Sequence, residues 1–526
     1  LELGDWDIQE MLVKVKRTLL LFVVFFAGMT SLGVELSASR LLDPFFGNSL
    51  IIWAVLIGLV LIYLTIGYYI GGKWADRNPD DGVLYQITAW AAFLIGLVPF
   101  IARPVLLWSV RGFAEYSAGI LAGSLLGVVL LFAVPVTLLG CVSPFVIRLA
   151  VRDVESAGQV AGGLYALSTV GSILGTFLPV LFLIPNIGTR NTFFLFSFVL
   201  LGISLVGLLW ARRARALPYM LMPAVLVILM VVLPEGIIKP VEYGNLIYET
   251  ESQYNYIQVV QWGDEVWLKL NEGQGVHSIY KPGSVLVGGI WDYFLIAPYF
   301  NNPPYTADQV GSLALIGSAA GTVPKEYTAV YGPIPIDGAE IDPEIIRVGR
   351  EYFDMNEPNF DVAAQDGRYF LTNSSKKYDV IAIDAYRPPY IPFHLTTREF
   401  FAQCKEHLTE NGVVAINVGR TRTDWSLVQA LATTLKAEFP NVYTVDLAQP
   451  GQDLINVLVV ATKQPTKVEN LAANAELLSN SILQQVAGAS IPRAAEFADP
   501  TMVFTDDRAP VEQVVHGLIL SFVEGN

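Results

Sequence analysis

The chain has 526 residues, too many for one ordinary core, so two to four domains are expected. It is 53% hydrophobic and only 15% charged, with a formal net charge of −15, where soluble domains run near roughly 25% charged. Two cysteines, Cys141 and Cys404, exclude a disulfide framework and a cysteine-based zinc site. The acidic balance excludes nucleic acid as a partner, because phosphate binding needs a basic face.

The charge is unevenly placed. Residues 1–239 hold 15 Lys+Arg and 13 Asp+Glu, whereas the remainder holds 18 and 35. A break near Lys239-Pro240 therefore separates an apolar half from an acidic half, whose charge suits either a cationic ligand or solubility alone. Three domains are predicted: a transmembrane helical bundle over 1–239, a small β domain over 240–300, and a Rossmann-like nucleotide-binding domain over 301–526. Leu1–Glu10 is acidic and lacks the pattern of a cleavable signal, so the first span is expected to be retained.

Seven stretches are long and apolar enough to cross a bilayer, at about 20 residues each. They are Thr18–Leu42, Ser49–Gly72, Tyr85–Ile101, Ser117–Leu138, Val160–Ile184, Asn191–Trp210 and Leu217–Leu233. A shorter run, Thr137–Val151, reads as a re-entrant or interfacial helix or as an eighth crossing. The spacings Gly67-x-x-x-Gly71 and Gly171-x-x-x-Gly175 suit close helix packing, either within one bundle or in a homodimer. Lys14, Lys16, Arg17, Lys73, Arg77, Arg148, Arg152, Arg212, Arg213 and Arg215 fall on one side, and Arg40, Arg103, Arg111, Arg190 and Lys239 on the other. The positive-inside rule puts the richer side in the cytoplasm. Seven spans then leave the acidic half outside, and a crossing by Thr137–Val151 would return it inside; both arrangements stay open. Within the first span, Glu35 and Arg40 are either a functional intramembrane pair or a structural one. The predicted setting is a multi-pass integral protein in the lipid bilayer of a prokaryotic plasma membrane.

Beyond the break, Tyr254–Val260 and Glu265–Leu270 read as strands around a Trp262-Gly263-Asp264 turn. Asn301-Asn302-Pro303-Pro304 reads as a linker. Strands then alternate with helices, which predicts a doubly wound α/β sheet of about seven strands: Leu313–Ile316, one ending at Glu340, Phe360–Ala364, Tyr378–Ile383, Val413–Val418, Asn441–Leu447 and Leu454–Ala461. Ligands of such sheets sit beyond the carboxyl ends of the strands. Those ends carry Gly317-Ser318-Ala319-Ala320-Gly321, Glu340, Asp366 and Asp384. Gly317 and Gly321 let the backbone approach a nucleotide. Glu340, about 20 residues on, can accept both ribose hydroxyls, and Asp366 can accept from an adenine amino group. No Gly-Lys-Ser/Thr follows the loop, which disfavours a phosphate-loop NTPase. His277 and His394 lack partners at metal spacing, so no metal is expected.

These motifs, with Glu340-Ile341-Asp342-Pro343-Glu344, Asp366-Gly367, Tyr378–Asp384, Thr396–Phe401, Thr505–Pro510, Gly33–Arg40 and Gly72–Arg77, resemble the spermidine synthase family in a membrane-fused form with a transporter-like bundle. The resemblance implies aminopropyl transfer from decarboxylated S-adenosylmethionine to an amine. It makes Asp384 the catalytic aspartate, and Glu340, Asp366 and Gly367 the nucleotide contacts. The sequence departs from the family at Ala320, where an aspartate holds the donor's ammonium group. It departs again at Arg387, where a second acid is usual, and at Trp291-Asp292-Tyr293, where a Tyr-His-Glu-like run is common. Asp292 and the Asp506-Asp507 pair are the expected replacements, and Tyr254, Gln274, Tyr293 and Arg387 are expected at the acceptor site. Losing the loop aspartate also leaves room for intact S-adenosylmethionine. The alternatives are therefore a methyltransferase acting on a membrane-proximal acceptor, or a transporter or sensor that only binds nucleotide.

Overall fold

A computed structural model describes residues 5–47, 50–113, 119–151, 153–233, 238–271, 275–386, 391–449 and 451–524. The chain divides into two compact units. The first is Leu1–Pro240 with Thr250–Tyr256, and the second is Val241–Glu249 with Ile257–Asn526.

The first unit is helical: α1 (Asp5–Phe46), α2 (Leu50–Arg77), α3 (Asp81–Phe113), α4 (Gly119–Gly140), α5 (Val142–Ala150), α6 (Ala157–Leu178), α7 (Ile184–Ala216) and α8 (Leu221–Val232). Its centre is packed from Val23, Leu56, Ala92, Phe193 and Leu200, and its outer surface is also apolar, at Leu61, Phe177, Phe182 and Val231. Helices apolar on all sides need a non-aqueous surrounding. Five helical runs among the described residues are long and apolar enough to cross a membrane: Lys14–Phe46, Ile52–Arg77, Asp81–Ser109, Ala122–Ala150 and Ala157–Ala211. The prediction of seven differs in two places: Val160–Ile184 and Asn191–Trp210 share one 55-residue run, and Leu217–Val232 is shorter than a full span; the separate short stretch Thr137–Val151 continues the fourth run.

That 55-residue run is not straight. Gly188 has φ +76°, which a right-handed helix does not contain. Gly175 of α6 lies against Met29 of α1, and Phe196 of α7 lies only one turn further along α1, against Gly33. A straight helix would have travelled about 30 Å over that stretch, so the chain turns back at Gly188. Both small-residue spacings close contacts inside this unit. A Cβ on Gly171 or Gly175 would stand 2.1 Å from the carbonyl oxygens of Phe25 or Met29, and one on Gly67 would stand 2.2 Å from that of Thr137. Gly171→Ala is expected to cost about 1–3 kcal/mol by overpacking, read as a lower thermal midpoint of the detergent-solubilised chain, whereas Gly162→Ala, with open space around it, should hold or slightly raise the midpoint, because alanine suits a helix interior better than glycine.

The second unit holds two sheets, except that the end of β1 (Thr250 and Glu251) and the first residue of β2 (Tyr256) fall in the first unit. Four strands, β1 (Asn245–Glu251), β2 (Tyr256–Trp262), β3 (Glu265–Leu270) and β4 (Val276–Tyr280), lie in chain order. They do not form a core of their own. Ile257, Val259 and Leu268 pack with Ala320, Ile345, Val348 and Phe353 of the α/β part, so the expected small β domain is one face of a larger unit. The expected linker is likewise tied down. Asn301 Nδ2 donates to Asn411 O (2.7 Å), and Asn474 Nδ2 donates to Asn301 O (2.8 Å).

The larger sheet contains β5 (Leu313–Ile316), β6 (Ile336–Glu340), β7 (Phe360–Ala364), β8 (Tyr378–Ile383), β9 (Leu408–Thr421), β10 (Asn441–Asp446), β11 (Leu454–Thr462) and β12 (Ala494–Glu496), in the order β12-β10-β11-β9-β8-β5-β6-β7. Strands β5 to β9 pair in parallel, while β11 runs antiparallel to β9 and β10. Side chains alternate between two buried faces. Ile316, Ile381, Val414 and Val459 meet Phe400, Leu427 and Val511 on one face; Leu315, Val380, Val413 and Val460 meet Phe294, Val323 and Leu483 on the other. The three-residue β12 was missed because it is too short to show a period. Helices flank the sheet: α9 (Ile290–Phe294), α10 (Thr322–Tyr331), α11 (Pro343–Tyr352), α12 (Gly367–Asn373), α13 (Arg398–Glu406), α14 (Ser426–Lys436), α15 (Asn470–Ala475), α16 (Ser481–Ser490) and α17 (Val511–Glu524). Chain direction across the sheet reverses between β5 and β8, which opens a crevice at their carboxyl ends.

Candidate active site

Gly317 ends β5 and Asp384 ends β8, and they meet at that crevice. Gly317 adopts φ +85°, and a Cβ there would stand 2.6 Å from Asp384 O and 2.7 Å from Ala385 N. Only glycine gives this turn without strain. The loop then folds over β6: the amides of Gly317 and Ser318 both donate to Ala339 O (2.9 and 3.2 Å), and Ala320 N donates to Ser278 Oγ (2.9 Å).

Glu340 ends β6 and is buried. Its Oε2 accepts from Ala319 N (2.9 Å) and its Oε1 from Asp342 N (3.1 Å). Burial outweighs these bonds and raises its carboxyl to about 7. Each oxygen keeps a further lone pair for a hydroxyl donor. Asp366 caps α12, accepting from Arg368 N (2.9 Å) and Tyr369 N (3.0 Å), while its Oδ2 lies 2.7 Å from His394 Nε2. The His394 contact leads the causes that hold its carboxyl below the usual range. Gly367 follows on the floor of the crevice, where a Cβ would stand 2.2 Å from the Ile316 side chain.

Asp384 is half-buried. Asn417 Nδ2 donates to its Oδ1 (2.9 Å), and the Trp291 indole N–H donates to it as well. Burial nevertheless raises its carboxyl to about 7. Asn417 Oδ1 is buried with no hydrogen-bond partner among the described residues. Gly419 N donates to Tyr386 Oη (2.6 Å), fixing that ring beside Asp384. The crevice therefore presents a carboxyl near neutrality and an unpaired amide oxygen. Asn417 was not singled out in the sequence, although an asparagine in the apolar run of β9 was a usable signal.

The expected replacement acids are engaged elsewhere. Asp292 is buried and accepts from Val287 N (3.1 Å) and Gly288 N (3.0 Å). Its carboxyl also meets that of Glu326, which burial first and Asp292 second hold well above the usual range. Glu326 keeps its proton well above the usual carboxylate range, and neither of its oxygens has a hydrogen-bond partner among the described residues. Its native pKa is raised, so between the unfolded value, near 4.3, and the native one the folded chain binds an extra proton, and stability falls as pH rises. Stability should thus drop from pH 5 to pH 8, by at most about 1.4 kcal/mol per unit from this group, and Glu326→Gln should lessen the fall of the thermal midpoint, leaving the share that Glu340 and Asp384 contribute. Asp506 accepts two bonds from Arg368 (2.7 and 2.8 Å) and one from Thr397 Oγ1 (2.7 Å), so it anchors the C-terminal segment. Asp507 is exposed and Tyr293 half-buried. Tyr254 lies in the β1–β2 turn, within the first unit. Gln274 and Arg387 lie outside the described residues. Burial lowers His277 to about 4, and its Nε2 has no hydrogen-bond partner among the described residues.

A model of the spermine/spermidine synthase domain matches residues 328–468, which contain Glu340, Asp366, Asp384 and Asn417. The C-terminal part carries a spermidine synthase domain. A probable polyamine aminopropyl transferase of Bifidobacterium longum is 33% identical over 284 residues, 51% of this chain and 62% of that protein. A polyamine aminopropyltransferase of Vibrio vulnificus is 29% identical over 174 residues, 32% of this chain and 56% of that one. The chain thus spans about three fifths of the length of these relatives. An N-terminal histidine N-methyltransferase of Emericella nidulans is 30% identical over 165 residues, 30% of this chain and 29% of that protein. Among solved structures, a probable spermidine synthase from Corynebacterium glutamicum aligns with TM-score 0.38 and 18% identity, covering 50% of this chain and all of that one. Ala320, which precedes the matched residues and stands one residue before Gly321, is buried, so no acidic side chain stands at that point of the loop.

Proposed function

We propose that the second unit transfers an aminopropyl group from decarboxylated S-adenosylmethionine to a small-molecule amine. The observation that carries this reading is Asp384, raised to about 7 at the strand crossover beside the unpaired Asn417 Oδ1. Glu340 would take the ribose hydroxyls and Asp366 the adenine amino group. An amine near 10 is protonated at neutral pH and cannot attack. Asp384 takes its proton, and Asn417 Oδ1 accepts a remaining N–H and fixes the nitrogen. The N–C bond forms as the C–S bond breaks, the electron pair passing to sulfur, so the sulfonium leaves as a neutral thioether. Proton removal by a side chain near neutrality, together with alignment of the two reactants, supplies the acceleration, and the reading calls on no metal.

A second reading is favoured by Ala320, because an apolar loop position leaves space for the carboxylate of intact S-adenosylmethionine, and by the methyltransferase among the relatives. Calorimetric titration with each donor separates them: tighter binding of the decarboxylated form supports aminopropyl transfer, and tighter binding of the intact form supports methyl transfer.

We also propose that the first unit spans a prokaryotic plasma membrane seven times, with the reversal at Gly188 separating the fifth and sixth crossings and α8 tilted little as the last. Lys16–Asp81 (2.7 Å) and Arg148–Asp76 (3.2 Å) tie helix ends on the basic, cytoplasmic side. Arg190 Nη2 donates to Leu233 O (2.8 Å) at the other end, where α8 finishes. The second unit then follows on the outer face, where its donor must be supplied. Labelling intact cells with an impermeant maleimide should modify Gly451→Cys and spare Asn78→Cys, the native cysteines being buried. The reverse pattern would remove one crossing and return the second unit to the cytosol.

A further inference from the structure

The end of the bundle at which α8 finishes contains a cavity of about 330 Å³ lined by Arg40, Arg103, Arg190, Thr189 and Glu251. Its walls are otherwise apolar, from Phe45 and Phe100 to Leu233. The acids facing it are already engaged. Asp43 is buried and pairs with Arg40 at 3.6 Å. Glu251 accepts from Thr189 N (2.8 Å) and Thr189 Oγ1 (2.7 Å), and burial holds its carboxyl above the usual range.

The cations are less well matched. Arg190 rests over the rings of Phe100 and Phe194 at 5.4 and 5.6 Å, and its Nε is buried with no hydrogen-bond partner among the described residues. Neither Arg190 nor the exposed Arg103 forms an ion pair with a described carboxylate. Among the described residues, three guanidinium groups and at most two carboxylates thus leave a net positive charge inside apolar walls. Guanidinium forks match the oxygens of a phosphate, and desolvation strengthens such bonds. The cavity lies near the ends of α1 and α8, and basic pockets between membrane helices hold lipid headgroups.

We infer that this cavity binds an anionic phosphate group, carried by a lipid headgroup or free in solution. The apolar walls would receive the first carbons of an acyl chain in the lipid case.

The test uses the full chain in a neutral detergent. Native mass spectrometry compares phosphatidylglycerol with phosphatidylcholine of the same acyl chains, and calorimetry follows inorganic phosphate. Phosphatidylglycerol retained at least tenfold better than phosphatidylcholine, with the preference lost in Arg103→Gln and Arg190→Gln, assigns a lipid. Inorganic phosphate bound by the native chain and not by the variants assigns a free ion. Arg103 is exposed, so Arg103→Gln keeps the test open if Arg190→Gln fails to assemble. Absence of binding by both probes, or binding equal in native chain and Arg103→Gln, overturns the inference.

Discussion

Asp384→Asn should lower kcat for aminopropyl transfer by about 10²–10⁴-fold, the usual contribution of a positioned base, while donor affinity changes less than about threefold. Asparagine keeps the size of the side chain and still accepts from Asn417 Nδ2 and the Trp291 indole, so the crevice should hold its shape. What it loses is the capacity to take a proton. The pH profile gives a second handle. Asp384 is raised to about 7 by burial against the lowering effect of Asn417 and Trp291. Only the ionised form is a base, so kcat/KM of the native chain should rise with pH up to about 7 and then level until other groups titrate. Asn417→Ala removes one bond to the carboxylate, which destabilises the ionised form. Its rise should therefore move to higher pH, a shift that a merely structural loss would not produce.

Gly317→Ala should weaken donor binding by tenfold or more. The position has φ +85°, and the added Cβ would meet Asp384 O at 2.6 Å and Ala385 N at 2.7 Å. Both contacts are backbone, so a strand end must move. The left-handed backbone alone costs about 1–2 kcal/mol, or roughly 2–8 °C in the midpoint of a unit this size. Gly332→Ala separates the two effects. It has φ +79° with nothing within 4 Å of its Cβ position. That variant should lose similar stability and bind donor normally. Equal donor binding by both variants would show that the close approach of the β5 and β8 ends does not shape the nucleotide site.

The parallel sheet was legible because its central strands, such as Leu313–Ile316, are buried on both faces and read as short apolar runs bounded by turn residues. Leu313–Ile316, Phe360–Ala364 and Tyr378–Ile383 match the predicted bounds. Strand-end chemistry was legible for the same reason, since Glu340, Asp366 and Asp384 break those runs. Long-range partners were not. Nothing local links Asn417 to Asp384, 33 positions apart, or His394 to Asp366, 28 positions apart. Nor does composition show that Asp292 meets Glu326 or that Asp506 meets Arg368, so both acids looked free for a substrate. In the membrane half hydropathy separated Val160–Ile184 from Asn191–Trp210, and the φ of Gly188 with the neighbours of Gly33 and Gly175 shows the turn between them; hydropathy could not show that Thr137–Val151 continues the run before it.

The most direct measurement incubates the purified chain with decarboxylated S-adenosylmethionine and an amine acceptor, and separately with the intact donor, and follows the nucleoside released. Methylthioadenosine formed only from the decarboxylated donor, and abolished in Asp384→Asn, is the predicted result. S-adenosylhomocysteine formed from the intact donor, with no turnover of the decarboxylated one, would contradict it.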